Sequence, residues 1–116
     1  MAAGEYKLAV GRATGCAYAH VRLEAEEAPD GIFSVDAEAV EPWWREAAVV
    51  GVRYAADKCR KPGAFRVSFT WIRTTHVDTN QMAVIFAAYH AACEAFGIPP
   101  DERVRLRPDW VYEFPK

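Results

Sequence analysis

Apolar and polar positions alternate in two stretches near the start of the chain. Over residues 5–10, Tyr6, Leu8 and Val10 fall on one side. Over residues 17–25, Ala17, Ala19, Val21 and Leu23 fall on one side and Tyr18, His20, Arg22 and Glu24 on the other. Successive side chains of a strand point to opposite faces, so both stretches predict half-buried strands. The glycine-bounded segment Gly11–Gly15 joins them as a hairpin. Pro29-Asp30-Gly31 marks the next turn, and residues 32–35 read as a short third strand.

The period then changes. Trp43, Ala47, Val50 and Tyr54 recur at helical spacing, with Pro42 at the first helical position, where its missing N–H is no loss, so a helix is expected from Pro42 to about Lys58. Gly51, inside this helix, suggests close packing against the sheet. Lys61-Pro62-Gly63 ends the segment. Residues 64–74 read as a strand, with Phe65, Val67, Phe69 and Trp71 on one face and Arg66, Ser68 and Thr70 on the other. After a Thr-Thr-His-Val turn, Asp78 and Gln81 have the spacing of a capping box. The second helix carries Met82, Ile85, Phe86, Tyr89, Ala92, Cys93 and Phe96 as its apolar stripe and stops at Gly97 and Pro99-Pro100. The tail from Arg103 to Phe114 alternates weakly around Pro108 and is expected to add an edge strand. The order β-β-β-α-β-α predicts an α+β two-layer sandwich: one domain over residues 1–116, helices on one face of the sheet, the other face open and polar.

Composition sharpens this only in part. The net charge of -2 disfavours a general nucleic-acid binder. The first half is acidic, with Glu24, Glu26, Glu27, Asp30, Asp36, Glu38, Glu41 and Glu46. The second holds Lys58, Arg60, Lys61, Arg66, Arg73, Arg103, Arg105 and Arg107. Such a split orients a domain against a charged partner, or is simply two solvated faces. Cys16, Cys59 and Cys93 form no Cys-x-x-Cys pair and are odd in number, so reduced thiols and a cytoplasmic location are expected. No apolar signal region or membrane-spanning run occurs, so no membrane partner is expected.

Catalytic chemistry has thin support. His76 and Asp78 could orient each other as an acid–base pair, but Asp78 already serves as a helix cap. Cys16 and His20 share a strand face only if the strand begins by Cys16, and no oxyanion motif accompanies them. His20, His76 and a carboxylate lack metal-ligand spacing, and His90 reads as structural or surface. No Gly-x-x-x-x-Gly-Lys loop is present to cradle nucleotide phosphates. A non-enzyme without metal, cofactor or nucleotide is the expectation. Tyr18, His20, Arg22, Arg66, Ser68 and Thr70 offer the open face cationic, aromatic and hydroxyl groups suited to RNA. Trp43 and Trp44 cannot both face one core, so one is expected to be partly exposed.

Residues 11–96 resemble domain IV of translation elongation factor G and its relatives, including the ribosome-protection proteins. Four stretches carry the likeness: the glycine-bounded loop leading through Tyr18 to His20-Val21; Pro42, Ala48-Val49 and Gly51 of the first helix; Lys61-Pro62-Gly63 before a strand ending Ile72-Arg73; and His76-Val77-Asp78-Thr79 leading to Ala83, Ala87-Ala88, Glu94 and Phe96. The last is the most specific. Ala19 replaces the family's glycine before His20, the first helix is one residue short between its proline and glycine, and the second tip is shorter. The resemblance implies a ribosomal protein S5 domain 2-like fold with a left-handed β-α-β crossover, as a stand-alone domain followed by a C-terminal extension over residues 97–116. It also implies a translation-factor-like module that meets ribosome or RNA through two loop tips, Gly11–Gly15 and Thr74–Val77. The contact candidates are Arg12, Thr14, His20, Arg22, Arg73, Thr75 and His76. The alternative is an oligomeric protein-interaction module that reuses the scaffold.

Overall fold

The first strand pairs along its whole length with the second. In the computed structural model, which describes residues 2–12, 15–58, 65–107 and 112–113, β1 (Ala2–Arg12) and β2 (Gly15–Glu27) form an antiparallel hairpin from Ala2↔Ala25 to Arg12↔Gly15. β3 (Ser34–Asp36), α1 (Pro42–Lys58), β4 (Phe65–Arg73) and α2 (Gln81–Phe96) follow in the expected order. β4 pairs antiparallel with β2 and parallel with β3, giving one mixed sheet in the order β1-β2-β4-β3. Lys61-Pro62-Gly63 and Cys59 lie outside the described residues.

Ala17, Ala19, Val21, Leu23 and Ala25 of β2 are all buried, as their alternation predicts. α2 packs over β1 and β2 and against α1. It is buried around most of its circumference, through Ala83, Val84, Phe86, Ala87, Ala88, Ala91, Ala92 and Cys93. Small residues let neighbours come this close. A Cβ on Gly4 of β1 would run into the Ala91 carbonyl oxygen, and one on Gly51 of α1 would run into the Ile85 carbonyl oxygen. Gly51 therefore marks an approach of α1 to α2, rather than of α1 to the sheet.

The same constraint decides which face of α1 is buried. Ala47, Ala48, Val52 and Ala55 are in the core, whereas Trp43, Val50 and Tyr54 of the expected stripe are exposed, Trp43 by 64%. Gly51 shares the buried face, and Tyr54, at its margin, meets Tyr89 of α2 with ring centroids 5.3 Å apart. Trp44, beside Trp43, packs against the core. On α2, Met82 is likewise exposed.

The start of α2 differs from the sequence expectation. Asn80, not Asp78, is the N-cap: its side-chain oxygen accepts the Ala83 N–H at 2.8 Å. The cap sits one residue before Gln81, so no capping box forms between Asp78 and Gln81. The end is as expected. Gly97 adopts φ 75°, where a side chain would be strained, and the Ile98 and Gly97 N–H groups bond Cys93 O and Glu94 O.

Among the described residues, the tail does not join the main sheet. β5 (Arg105–Leu106) and β6 (Tyr112–Glu113) pair only with each other, with Pro108 outside the described residues. Side chains of α2 anchor this segment. His90 Nε2 donates to Val104 O at 2.7 Å, and Tyr112 meets Phe86 with ring centroids 5.5 Å apart. Among the described residues no helix is long and apolar enough to cross a membrane.

Candidate nucleic-acid interface on the open sheet face

The hairpin register dictates which side chains meet on the uncovered face. Glu5 lies opposite Arg22, and Lys7 opposite His20. His20 Nε2 donates to Glu5 Oε2 at 2.6 Å, and Arg22 donates to Glu5 Oε1 through Nε at 3.1 Å and Nη2 at 2.9 Å. The bond from His20, and next those from Arg22, hold the Glu5 carboxyl below its ordinary pKa. Glu5 thus fixes two neighbouring side chains, although exposed ion pairs of this kind add little to stability.

β4 completes the cluster through an irregularity. Arg22 pairs with Trp71, but Leu23 pairs with Phe69, which leaves Thr70 as an extra residue; its Oγ1 donates to Arg22 O at 3.0 Å. One extra residue reverses the alternation beyond it. Ile72 takes the core side opposite Val21, and Trp71, expected beside Phe69 in the core, turns to the open face. There its ring meets His20 edge-on at 4.6 Å, and the guanidiniums of Arg22 and Arg73 lie 5.1 and 5.6 Å from its centroid. Neither Arg73 nor Lys7 has a carboxylate partner among the described residues. The other end of the face has the opposite sign, with Glu24, Glu26 and Asp36 around Arg66.

The turn after β4 is tied to the cationic end. Thr79 Oγ1 donates to Tyr18 O at 2.7 Å and accepts the Thr75 N–H at 2.8 Å; the Tyr18 N–H reaches Asp78 O at 3.0 Å, and the Asp78 N–H reaches Thr75 Oγ1 at 3.1 Å. These bonds hold His76 and Val77 outward, Val77 being 90% exposed.

Of the sequence candidates, His20, Arg22 and Arg73 come together, Thr75 stitches the turn, and His76 stands exposed beyond it. The Arg12 side chain and Thr14 lie outside the described residues. Lys7 and Glu5 join from β1; their place follows from the hairpin register once the loop is recognised. Trp71 carried no such signal, because residues 65–71 alternate without a break and only the pairing with β2 reveals the slip.

The other chemical readings separate. No hydrogen bond joins the side chains of His76 and Asp78 among the described residues, and Asp78 engages β2 through its backbone. Cys16 does share the face of His20, since β2 begins at Gly15, but four residues of strand separate them by roughly 13 Å. No metal-holding group of His, Cys, Asp and Glu occurs among the described residues. His90 is buried among Tyr6, Phe86 and Tyr89 and serves the core.

The class that fold and face define is an α+β domain with a four-stranded mixed sheet, helices on one side and a polar, aromatic-bearing face on the other. No protein-family model matches the chain, and no curated protein matches it. A crystal structure of a Thermus thermophilus protein is similar, with TM-score 0.68 and 24% sequence identity over 83% of this chain. The match takes in 16% of that longer protein, so the likeness is one of fold.

Proposed function

We propose that the chain is a non-enzymatic, translation-factor-like module that contacts the ribosome or its RNA through the His76 turn and the adjoining cationic end of the sheet. In this reading the domain has the ribosomal protein S5 domain 2-like topology, with a left-handed β3–α1–β4 crossover, and works in the reducing cytoplasm, in keeping with Cys16 and Cys93 as thiols outside any disulfide. One observation carries it: the exposed turn is hydrogen-bonded to β2 at Tyr18, on the same strand end that presents His20 and Arg22 and pairs with Arg73. A tip and a phosphate-binding surface held in one rigid frame can engage RNA together. The test is sedimentation with ribosomes at near-physiological salt. The chain is expected to pellet, and Arg73→Gln is expected to weaken pelleting and lower its salt slope by about one counterion. A wild-type chain that stays in the supernatant sinks the reading.

A second reading, self-association, is favoured by β1. This strand lies at the sheet edge over residues 2–12, contains no proline, and has no strand on its outer side among the described residues. Two copies paired antiparallel about Tyr6 would set Glu5 of each opposite Lys7 of the other. Sedimentation equilibrium is expected to detect a dimer that Lys7→Glu dissociates. A monomer at every concentration removes this reading.

A further inference from the structure

The bulge at Thr70 has a consequence for what the open face binds. Strict alternation would bury Trp71 behind Phe69; the extra residue instead moves a large apolar ring to the solvated face and gives its core position to Ile72. Bulges that re-aim a side chain gather at functional sites. The ring arrives between Arg22 and Arg73, with Lys7 in the neighbouring row opposite His20 and the Glu5 carboxylate bonded to Arg22, in a chain whose net charge is -2. Cations are thus concentrated at this end, while Glu24, Glu26 and Asp36 occupy the other.

We propose that Trp71, flanked by Arg22 and Arg73, is a stacking site for an unpaired nucleotide of RNA, with Lys7 and Arg73 holding the phosphates on either side. This rests on the RNA-contact reading and names its ligand: a single strand, taken with little sequence preference. Stacking needs a base free of its helix, and an indole face or a guanidinium plane serves any of the four bases. The guanidiniums of Arg22 and Arg73 lie over the ring, 5.1 and 5.6 Å from its centroid, so that a base enters by stacking on a guanidinium plane or by displacing one from the indole. Glu5, through its bonds to Arg22 and His20, keeps two sides of the ring in place before the strand arrives. The strand runs toward the His76 turn and away from the acidic end, which repels phosphate.

Fluorescence anisotropy with an end-labelled, unstructured RNA of about eight nucleotides, a length within the site sizes of sheet-based single-strand binders, tests this. Trp71→Leu keeps an apolar side chain and is expected to weaken binding roughly fivefold to a hundredfold. Trp71→Phe is expected to recover most of the loss, and Trp43→Leu, on the exposed face of α1, to change nothing. A thermal scan of each variant separates loss of stacking from loss of fold. An RNA duplex of the same charge is expected to compete weakly. Equal competition by the duplex or by poly-glutamate, or Trp71→Leu binding as tightly as wild type, overturns the site. Ribosome pelleting is read separately. If pelleting persists while the oligonucleotide fails to bind, the nucleotide site is lost and the wider function stands.

Discussion

Gly51→Ala is expected to destabilise the protein, against the direction that helix propensity alone would give. Gly51 lies inside α1, where alanine is the better helix former by about 1 kcal/mol. In the folded chain, however, an added Cβ would meet the Ile85 carbonyl oxygen and lie 2.9 Å from both the Ala88 Cβ and the Tyr89 nitrogen. Two of these atoms are backbone of α2, which is itself pressed against β1 and β2, with the Ala91 carbonyl over Gly4. α2 cannot retreat without opening the sheet interface, so α1 must move away and lose contact along its alanine face. Overpacking of this sort costs about 1–3 kcal/mol, and the two-helix layer leaves little room to relax. The net result is a fall in thermal midpoint of roughly 4–8 °C for each kcal/mol. A midpoint equal to or above that of wild type would show that the helices are not in this contact.

His90→Ala is expected to have a comparable or larger effect and to release the tail. The imidazole stacks on Tyr6 at 4.5 Å, meets Phe86 at 4.4 Å and donates to the Val104 carbonyl at 2.7 Å. Truncation leaves a cavity and an unpaired buried carbonyl, on the order of 3 kcal/mol together. Proteolysis after Arg103, Arg105 or Arg107 is expected to accelerate, since Val104 loses its hold. The same residue sets a pH dependence. Burial pushes the His90 pKa below its ordinary value of 6.5; the Val104 carbonyl opposes this and Arg103 adds to it. The native form is therefore the neutral ring. Well above pH 6.5 both folded and unfolded chains are neutral there and the contribution is complete. As pH falls below that value the unfolded chain binds the proton first, so stability drops until the folded-state pKa is passed. Tyr6, Tyr89 and Arg103 face the ring and supply no carboxylate to reverse the sign. Unfolding midpoints are expected to decline as pH falls through 6.5, the unfolded value, and His90→Phe is expected to flatten that slope. Glu5, whose carboxyl is held below 4.5, acts at lower pH. A slope unchanged in His90→Phe would assign it to another group.

Much of the architecture was legible because it depends on local periodicity. The alternation in residues 17–25 names the buried face of β2, and Gly97 stops α2 where only a left-handed residue fits. Element order and the polar outer face followed from the same signals. His20 and Arg22 were within reach as candidates because polar residues alternating with buried ones on β2 must face solvent; Arg73 was named as one only through the family resemblance, and it reaches the same face because of the bulge at Thr70. Where side-chain size or strand pairing decides, the pattern misled. Trp43, Val50 and Tyr54 have the helical spacing of a core stripe, yet Ala47, Ala48, Val52 and Ala55 are buried instead, on the side where Gly51 meets α2. Asp78 and Gln81 have the spacing of a cap, yet the chain turns again through hydrogen bonds to Tyr18 before Asn80 starts the helix.

The open face shows the division most plainly. Sequence alone determined that β2 would carry His20 and Arg22 outward, since a period of two leaves no choice once Val21 and Leu23 are buried. Only the tertiary structure placed Trp71 beside them. A strand's alternation is relative to itself; which set faces the core is decided by the partner strand, and one unpaired residue at Thr70 reverses the answer for all that follows.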